Sequence, residues 1–505
     1  MTVATLEALG AIPLAEGGTR LRVWAPDARS VRVDGRALAR GEGGVWEAEL
    51  ELPAGTDYLV ELDGAEWPDP CSRCQPEGAR GPSRVVDTSA FRWSDDGWPG
   101  LSLDELVLYE LHVGAFSDEG TFDGVIPHLA GLRELGVTAI ELMPVATFPG
   151  RRGWGYDGVY AYAPHPAYGG PEGLQRLVDA AHAVGLGVIL DVVYNHLGPG
   201  SEAIAAFGPY LTGRHETFWG DAIDYSQRGA REWAIGNACM WVGDYHVDGL
   251  RLDATHAVFD DSPRHVLAEL AERVREENPR ALVISEMEPG DRRPIEEWGH
   301  DAQWSDGLHH QLHALLTGER EGYYEPYGSL QGLAEELRRE PAERLVVYAQ
   351  NHDQVGNRAL GDRLPRGALR VAAGCVLFAL QTPLLFMGQE YGEERPFRFF
   401  TDHDDPAAAQ AARAGRRREF EGFSAFSGDG VPDPQDAATF ERSKLDRSHP
   451  DEELRDLHRE LLALRRELPR EVEVEVDERT RTLTARRGAV ELHADFANAT
   501  VELRR

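Results

Sequence analysis

The sequence predicts an α/β protein: a (β/α)8 TIM barrel with an N-terminal β-sandwich and a small C-terminal β domain. Three observations predict it. Within residues 1–90, runs such as "TRLRVWAPDARSVRV" and "GGVWEAELELPAGTDYLVEL" alternate apolar and polar positions between Gly, Pro and Asp turns. From about residue 104 the rhythm changes to short apolar runs separated by helical patterns, which over about 300 residues fit a closed barrel better than an open sheet. After about residue 468 the alternation returns and continues to Arg505. The expected domains are therefore 1–90 (sandwich), 91–467 (barrel with connector and elaborated loops) and 468–505 (C-terminal β).

The elements follow in order. "WPDPCSRCQPEGARGPSRVVD" is rich in Pro, Gly and Arg and reads as an ordered connector. The eight strand candidates are "LVLYELHVGAF" (106–116), "VTAIELMPV" (137–145), "GVILDVVYNH" (187–196), "VDGLRLDATHAV" (247–258), "ALVISEMEP" (281–289), the weak "DAQWSDG" (301–307), "LVVYAQNHD" (345–353) and "TPLLFMGQEYG" (382–392). Between them lie amphipathic helix patterns such as "PEGLQRLVDAAHAVG" and "PRHVLAELAERVREEN". The Gly- and aromatic-rich stretch 197–246 is too long for a simple connection and predicts an elaborated loop with its own helix. "DEELRDLHRELLALRREL" predicts one more amphipathic helix before the C-terminal strands.

Composition narrows the function. With 52 basic and 86 acidic residues the net charge is -34, which argues against nucleic acid as a partner and leaves a neutral, hydroxyl-rich substrate unrepelled. No apolar run is long enough to span a membrane. "MTVATLEALGAIPLAEGG" has neither a basic start nor a long apolar core, so no signal peptide is read there and a cytoplasmic location is expected. Cys71 and Cys74 form one C-x-x-C with no second pair to complete a zinc site, and read as incidental thiols. Neither cofactor nor metal is expected; 197–246 holds no dense Asp/Asn cluster suited to calcium.

The strand ends carry the chemistry. Asp191, Asn195 and His196 end the third strand; Arg251, Asp253 and His256 the fourth; Glu286 the fifth; His352 and Asp353 the seventh. In a barrel these ends ring one mouth, where such folds place their active sites. Asp253, Glu286 and Asp353 then converge from three strands, as glycoside hydrolysis needs: one carboxylate at the anomeric carbon and one carboxylic acid at the leaving oxygen. The third carboxylate can hold sugar hydroxyls. Arg251 shares a strand face with Asp253, two residues away.

"DVVYNH", "GLRLDATH", "ISE" and "NHD" resemble the four signature regions of the α-amylase superfamily. The resemblance implies that Asp253 is the nucleophile, Glu286 the general acid/base and Asp353 the transition-state stabiliser. It implies that His196, Arg251 and His352 contact the sugar in the cleaved subsite and that Tyr156 stacks beneath it. Glu288 competes for the acid role, although "ISE" aligns Glu286. "WGYDGVYAYAPHPAYGGPEGL", "WGDAIDYS", "DAQWSDGLHH", "GEREGYY" and "NHDQVGNR" are similar to those superfamily members that release trehalose from maltooligosyltrehalose. That narrower likeness makes maltooligosyltrehalose and related α-glucans the expected substrates, and pairs the chain with a maltooligosyltrehalose synthase. Further substrate-binding candidates are Trp154, Asp157, Trp219, Asp221, His256, Trp304, Asp306, Tyr323, Tyr324 and Gln354, with the aromatics lining a sugar channel. A glycogen branching or debranching enzyme, and a non-catalytic glucan-binding barrel, are the alternatives. Whether the chain is a monomer or a dimer is open at this level.

Overall fold

The structure is a computed structural model that describes residues 8–287, 290–420 and 430–505. Eight parallel strands close into a barrel. They are β1 (Leu108–Leu111), β2 (Ala139–Leu142), β3 (Gly187–Val192), β4 (Gly249–Leu252), β5 (Leu282–Ser285), β6 (Ala302–Trp304), β7 (Leu345–Tyr348) and β8 (Thr382–Phe386). Each lies inside one of the eight strand candidates, and β8 pairs back onto β1 through Leu108–Leu384 and Glu110–Phe386. Every residue of every strand is buried, because helices cover the outside and side chains fill the inside.

The surrounding helices are α1 (Leu129–Leu135), α2 (Gly170–Ala183), α3 (Arg228–Asp244), α4 (Val266–Glu277), α5 (Arg293–Glu296), α6 (Gly307–Thr317), α7 (Leu369–Phe378) and α8 (Glu452–Arg465). The long stretch after β3 forms a short helix, Glu202–Phe207, and a hairpin of Leu211–Thr217 with Gly220–Ile223, before α3. Among the described residues, no helix is long and apolar enough to cross a membrane.

Two four-stranded antiparallel sheets form the N-terminal sandwich. One contains Gly10–Pro13, Thr19–Trp24 and Val45–Leu50; the other contains Val31–Val33, Val60–Leu62 and Ala65–Trp67. Their inward Leu21, Val23, Val31, Val33 and Val60 are buried, as period-2 alternation requires. The sandwich docks onto α3 through Trp24, whose ring occupies the place where a Cβ on Gly229 would lie. In the connector, buried Asp69 accepts bonds from Tyr58 Oη (2.8 Å) and the Cys71 N–H (2.8 Å), so this coil is ordered by polar contacts; Cys71 and Cys74 are free thiols. Four consecutive antiparallel strands, Glu473–Asp477 to Thr500–Arg504, form the C-terminal sheet. It packs on α7, where Gly374 leaves room for Leu492 and Val501.

Candidate active site

The C-terminal ends of β3, β4, β5 and β7 bring their polar groups around one guanidinium. Arg251, in β4, is 0% exposed. Its Nη1 donates to Asp191 Oδ2 (2.8 Å) and Asp253 Oδ1 (2.9 Å), and its Nη2 donates to Glu286 Oε2 (2.9 Å). Beneath it lies the Trp304 ring, 4.2 Å from the guanidinium carbon, a cation–π contact strengthened by burial. The other Asp253 oxygen accepts Asn195 Nδ2 at 2.8 Å, and Asn195 in turn bonds His196 Nδ1. Asp253 is therefore held on both oxygens and cannot swing.

The turn after Asp253 is unusual. Ala254 has φ +40° and ψ +53°, the left-handed region that costs a residue with a Cβ about 1 kcal/mol or more. This turn brings the Ala254 N–H to Glu286 Oε2 (2.8 Å) and the Thr255 N–H to the Glu286 carbonyl (3.0 Å). The turn after Asp253 thus positions the candidate acid.

A second group of residues centres on His352. Its Nδ1 and backbone N–H both meet Glu110 of β1, the latter at 2.8 Å. Its Nε2 lies 3.3 Å from Asp353 Oδ1 and 2.8 Å from Tyr156 Oη. Tyr156 also donates to Asp191 Oδ2 (2.6 Å) and stacks on the His352 ring at 5.1 Å. Its loop is shaped by Gly155, whose φ of +103° and close approach to the Pro144 carbonyl exclude any side chain.

The electrostatics separate the carboxylates. Burial, reinforced by the Asp253 and Asp353 charges and opposed by Arg251, raises Glu286 to about 8. Asp353 is lowered to about 2; burial opposes this, and the His352 charge and hydrogen bond, with Arg251 and Asn357, outweigh it. His352 is raised well above the usual imidazole range: burial opposes its charge, but Asp353 and Glu110 on either side favour it. Asp191 is pushed by burial to about 7. One carboxyl poised as an acid beside one held as an anion is the division that acid catalysis on a glycosidic oxygen requires.

The remaining candidates divide by position. Gln354 Nε2 donates to Asp306 Oδ1 (3.3 Å), which Tyr348 also bonds, so these two join the rim beside Asp353. His196 stacks on Trp219 at 4.9 Å, bringing the hairpin loop over the mouth. Asp157 faces His403 Nε2 at 3.6 Å. Asp221 and His256 are exposed, on the hairpin and on the turn after Asp253, and neither bonds the catalytic carboxylates. The side chain of Tyr323, and Glu288, lie outside the described residues.

The reading of the aromatics as an open channel needs correction. Trp219 is 48% exposed, but Trp154, Trp304 and Tyr324 are 4% or less. Trp154 packs on Phe397 and donates its indole N–H to the Arg398 carbonyl; Tyr324 packs on His313 and bonds His309. Large rings in Gly-rich loops were used here to wedge the loops in place. Conversely, Glu110 was missed. It sits inside "LVLYEL", where a lone acid at an inward strand position was the available signal. Glu141 of β2 is a second such acid, with neither carboxylate oxygen bonded, and burial together with Glu110 raises its pKa well above the usual range.

This barrel and mouth are those of a glycosidase of the α-amylase superfamily, and the family model "Alpha amylase, catalytic domain" matches residues 82–208. Over 504 residues the chain is 45% identical to the malto-oligosyltrehalose trehalohydrolase of Deinococcus radiodurans, covering 91% of this chain and 83% of that one. It is 44% identical over 516 residues to the enzyme of the same name from Arthrobacter ramosus, covering 91% and 89%. A crystal structure from Salmonella typhimurium, named for alpha amylase, matches with TM-score 0.88 at 36% identity, covering 97% and 93%. The chain belongs to the malto-oligosyltrehalose trehalohydrolase family.

Proposed function

We propose that the chain hydrolyses the α-1,4-glucosidic bond next to the terminal trehalosyl unit of maltooligosyltrehalose, releasing trehalose and a shortened maltooligosaccharide. Asp253 is the nucleophile, Glu286 the acid/base and Asp353 the group that binds sugar hydroxyls as the ring distorts. Protonated Glu286 gives its proton to the bridging oxygen while Asp253 attacks the anomeric carbon. Trehalose leaves, and a glycosyl ester remains on Asp253. Ionised Glu286 then takes a proton from water, whose oxygen attacks the same carbon and frees Asp253.

The observation that carries this reading is the single Arg251 guanidinium that bonds both Asp253 and Glu286. It favours the close carboxylate spacing of retaining enzymes, roughly 5–5.5 Å, over the wider inverting spacing. Tyr156 provides the face for the cleaved sugar ring, with His196 and His352 at its edge. Trp219 and the rim pair Asp306–Gln354 contribute contacts beyond the cleaved bond. The substrate is supplied by an enzyme that forms the terminal α,α-1,1 linkage, a maltooligosyltrehalose synthase, in the same cytoplasmic compartment.

Product analysis on maltooligosyltrehalose tests the assignment. Trehalose is the expected small product, and glucose or maltose in its place, or new α-1,6 branches without net hydrolysis, would remove it.

A further inference from the structure

The base of the barrel, opposite the mouth, carries a second concentration of charge. A groove of about 510 Å³ opens where Val107, Thr138 and Leu380, at the entries to β1, β2 and β8, meet the end of α8 and the C-terminal sheet. Arg133, Arg465, Arg466, Arg470 and Arg487 line it, against only Asp104 and Glu105. Arg470 bonds Asp104 at 2.7 Å. Among the described residues, no carboxylate lies within 4.0 Å of the other four guanidiniums. In a chain of net charge -34, four neighbouring arginines without an acidic partner require an explanation.

The inner pair is fixed structurally. Arg465 donates to the carbonyls of Leu377 (3.3 Å) and Leu380 (3.0 Å), and Arg487 to those of Phe378 (3.2 Å) and Pro469 (2.9 Å). Several of these carbonyls end α7, where a cation is favourable. Carbonyls carry partial charge only, so the positive charge is not neutralised. Burial and the neighbouring Arg487 and Arg470 pull Arg465 down to about 9, and burial with Arg470 pulls Arg487 down to about 10; both remain cationic at neutral pH. The outer pair has free donors. Arg466 makes one bond, to the Gly136 carbonyl at 3.2 Å, and Arg133 makes none among the described residues.

We propose that this groove binds a small phosphate-type anion, free phosphate or the phosphate of a sugar phosphate, held by the guanidinium forks of Arg133 and Arg466 over the charge of Arg465 and Arg487. Planar guanidinium edges match phosphate oxygens pairwise. A chain of net charge -34 disfavours an extended polyanion, whereas a compact anion lies wholly within the positive region. Arg133 belongs to the barrel and Arg466 follows α8 towards the C-terminal sheet, so the bound anion ties the barrel base to the C-terminal part of the chain.

Thermal unfolding of the full chain tests this. Inorganic phosphate, pyrophosphate and glucose 6-phosphate are each compared with sodium chloride at matched ionic strength, for the wild type and for Arg133→Ala/Arg466→Ala. Both replaced side chains are exposed and distant from the mouth, so the double variant should fold and keep its hydrolytic activity. The expected result is a saturable rise in Tm of about 2 °C with a phosphate-type anion, lost in the double variant. A larger shift with glucose 6-phosphate than with phosphate supports a sugar phosphate; the reverse supports the free anion. An equal shift with chloride, or a shift the double variant retains, would overturn the proposal.

Discussion

Arginine serves opposite ends of this barrel in different ways. At the mouth, Arg251 meets three carboxylates; at the base, Arg465 and Arg487 meet backbone carbonyls. The cost of burying a guanidinium is offset in both places, but only at the mouth is its charge balanced by full negative charges. There it fixes the geometry of the proposed catalytic groups. At the base it closes a helix end and leaves its charge to the surrounding space.

Removing the reacting carboxylates should show the largest difference between the two ends. Asp253→Asn and Glu286→Gln should each lower kcat by about 10⁴-fold or more while circular dichroism shows the fold retained. A Glu286→Gln enzyme of near-normal rate would sink the acid assignment and promote Glu288. Arg251→Met should abolish activity and also cost about 3–5 kcal/mol in urea unfolding, because Asp253 loses its counter-charge and Asp191 and Glu286 lose a buried donor. Arg465→Met strands no carboxylate and should cost less, about 1–3 kcal/mol for its unmet carbonyls. Equal costs for the two would break the comparison.

Glu110 extends the same logic to a positioning residue. It bonds His352 and helps keep the imidazolium beside Asp353. Glu110→Gln should lower kcat by about 10²-fold with little change in KM, the scale expected for a misplaced catalytic group. The His352 imidazole should then titrate at lower pH by NMR, a change that a purely structural role would not produce. An unshifted imidazole would refute the positioning role.

The pH profile sharpens the account of the mouth. Catalysis needs Glu286 protonated, and its pKa is raised to about 8. Activity should therefore hold through neutral pH, and kcat/KM should fall about tenfold per unit above 8. The folded chain holds this proton more tightly than the unfolded chain does. Rising pH between the ordinary carboxylate value and about 8 thus costs stability, and Glu286→Gln should flatten that part of the stability curve. An alkaline limb beginning near pH 5 would contradict the raised value.

How far the sequence is legible follows from the same contrast. Parallel strands are buried on both faces, so seven of the eight read as apolar runs, and the three-residue β6 lies within the weaker, polar "DAQWSDG". The gathering of Asp253, Glu286 and Asp353 at the mouth was legible because they recur at one topological position, the strand end. Glu110 and Glu141 were not, because a single acid within an apolar run does not disturb the strand pattern. Trp154 was misread because a ring in a loop has the same sequence signature whether it faces sugar or core, and Trp304 because it ends the short, polar β6. The basic groove was invisible: Arg133 and Arg487 are brought together only by the closed barrel and the docked C-terminal sheet.

The smallest expected effect concerns selectivity. Maltooligosyltrehalose and a maltooligosaccharide of equal length offer the same α-1,4 bonds and differ at one end. Selection must come from contacts beyond the cleaved bond, on the leaving-group side. Polar groups set for one arrangement of hydroxyls reject another, because they are left buried and unpaired. The kcat/KM ratio between the two substrates should be at least about tenfold, or roughly 1.4 kcal/mol. Trp304 is buried under Arg251, so Trp304→Ala should lower both rates together and leave the ratio in place. Trp219 is open and lies over His196, so Trp219→Ala should shrink the ratio more than it slows cleavage of the plain maltooligosaccharide. A ratio lost in Trp304→Ala but kept in Trp219→Ala would reverse these assignments and place the selective contact beneath the guanidinium instead of at the rim.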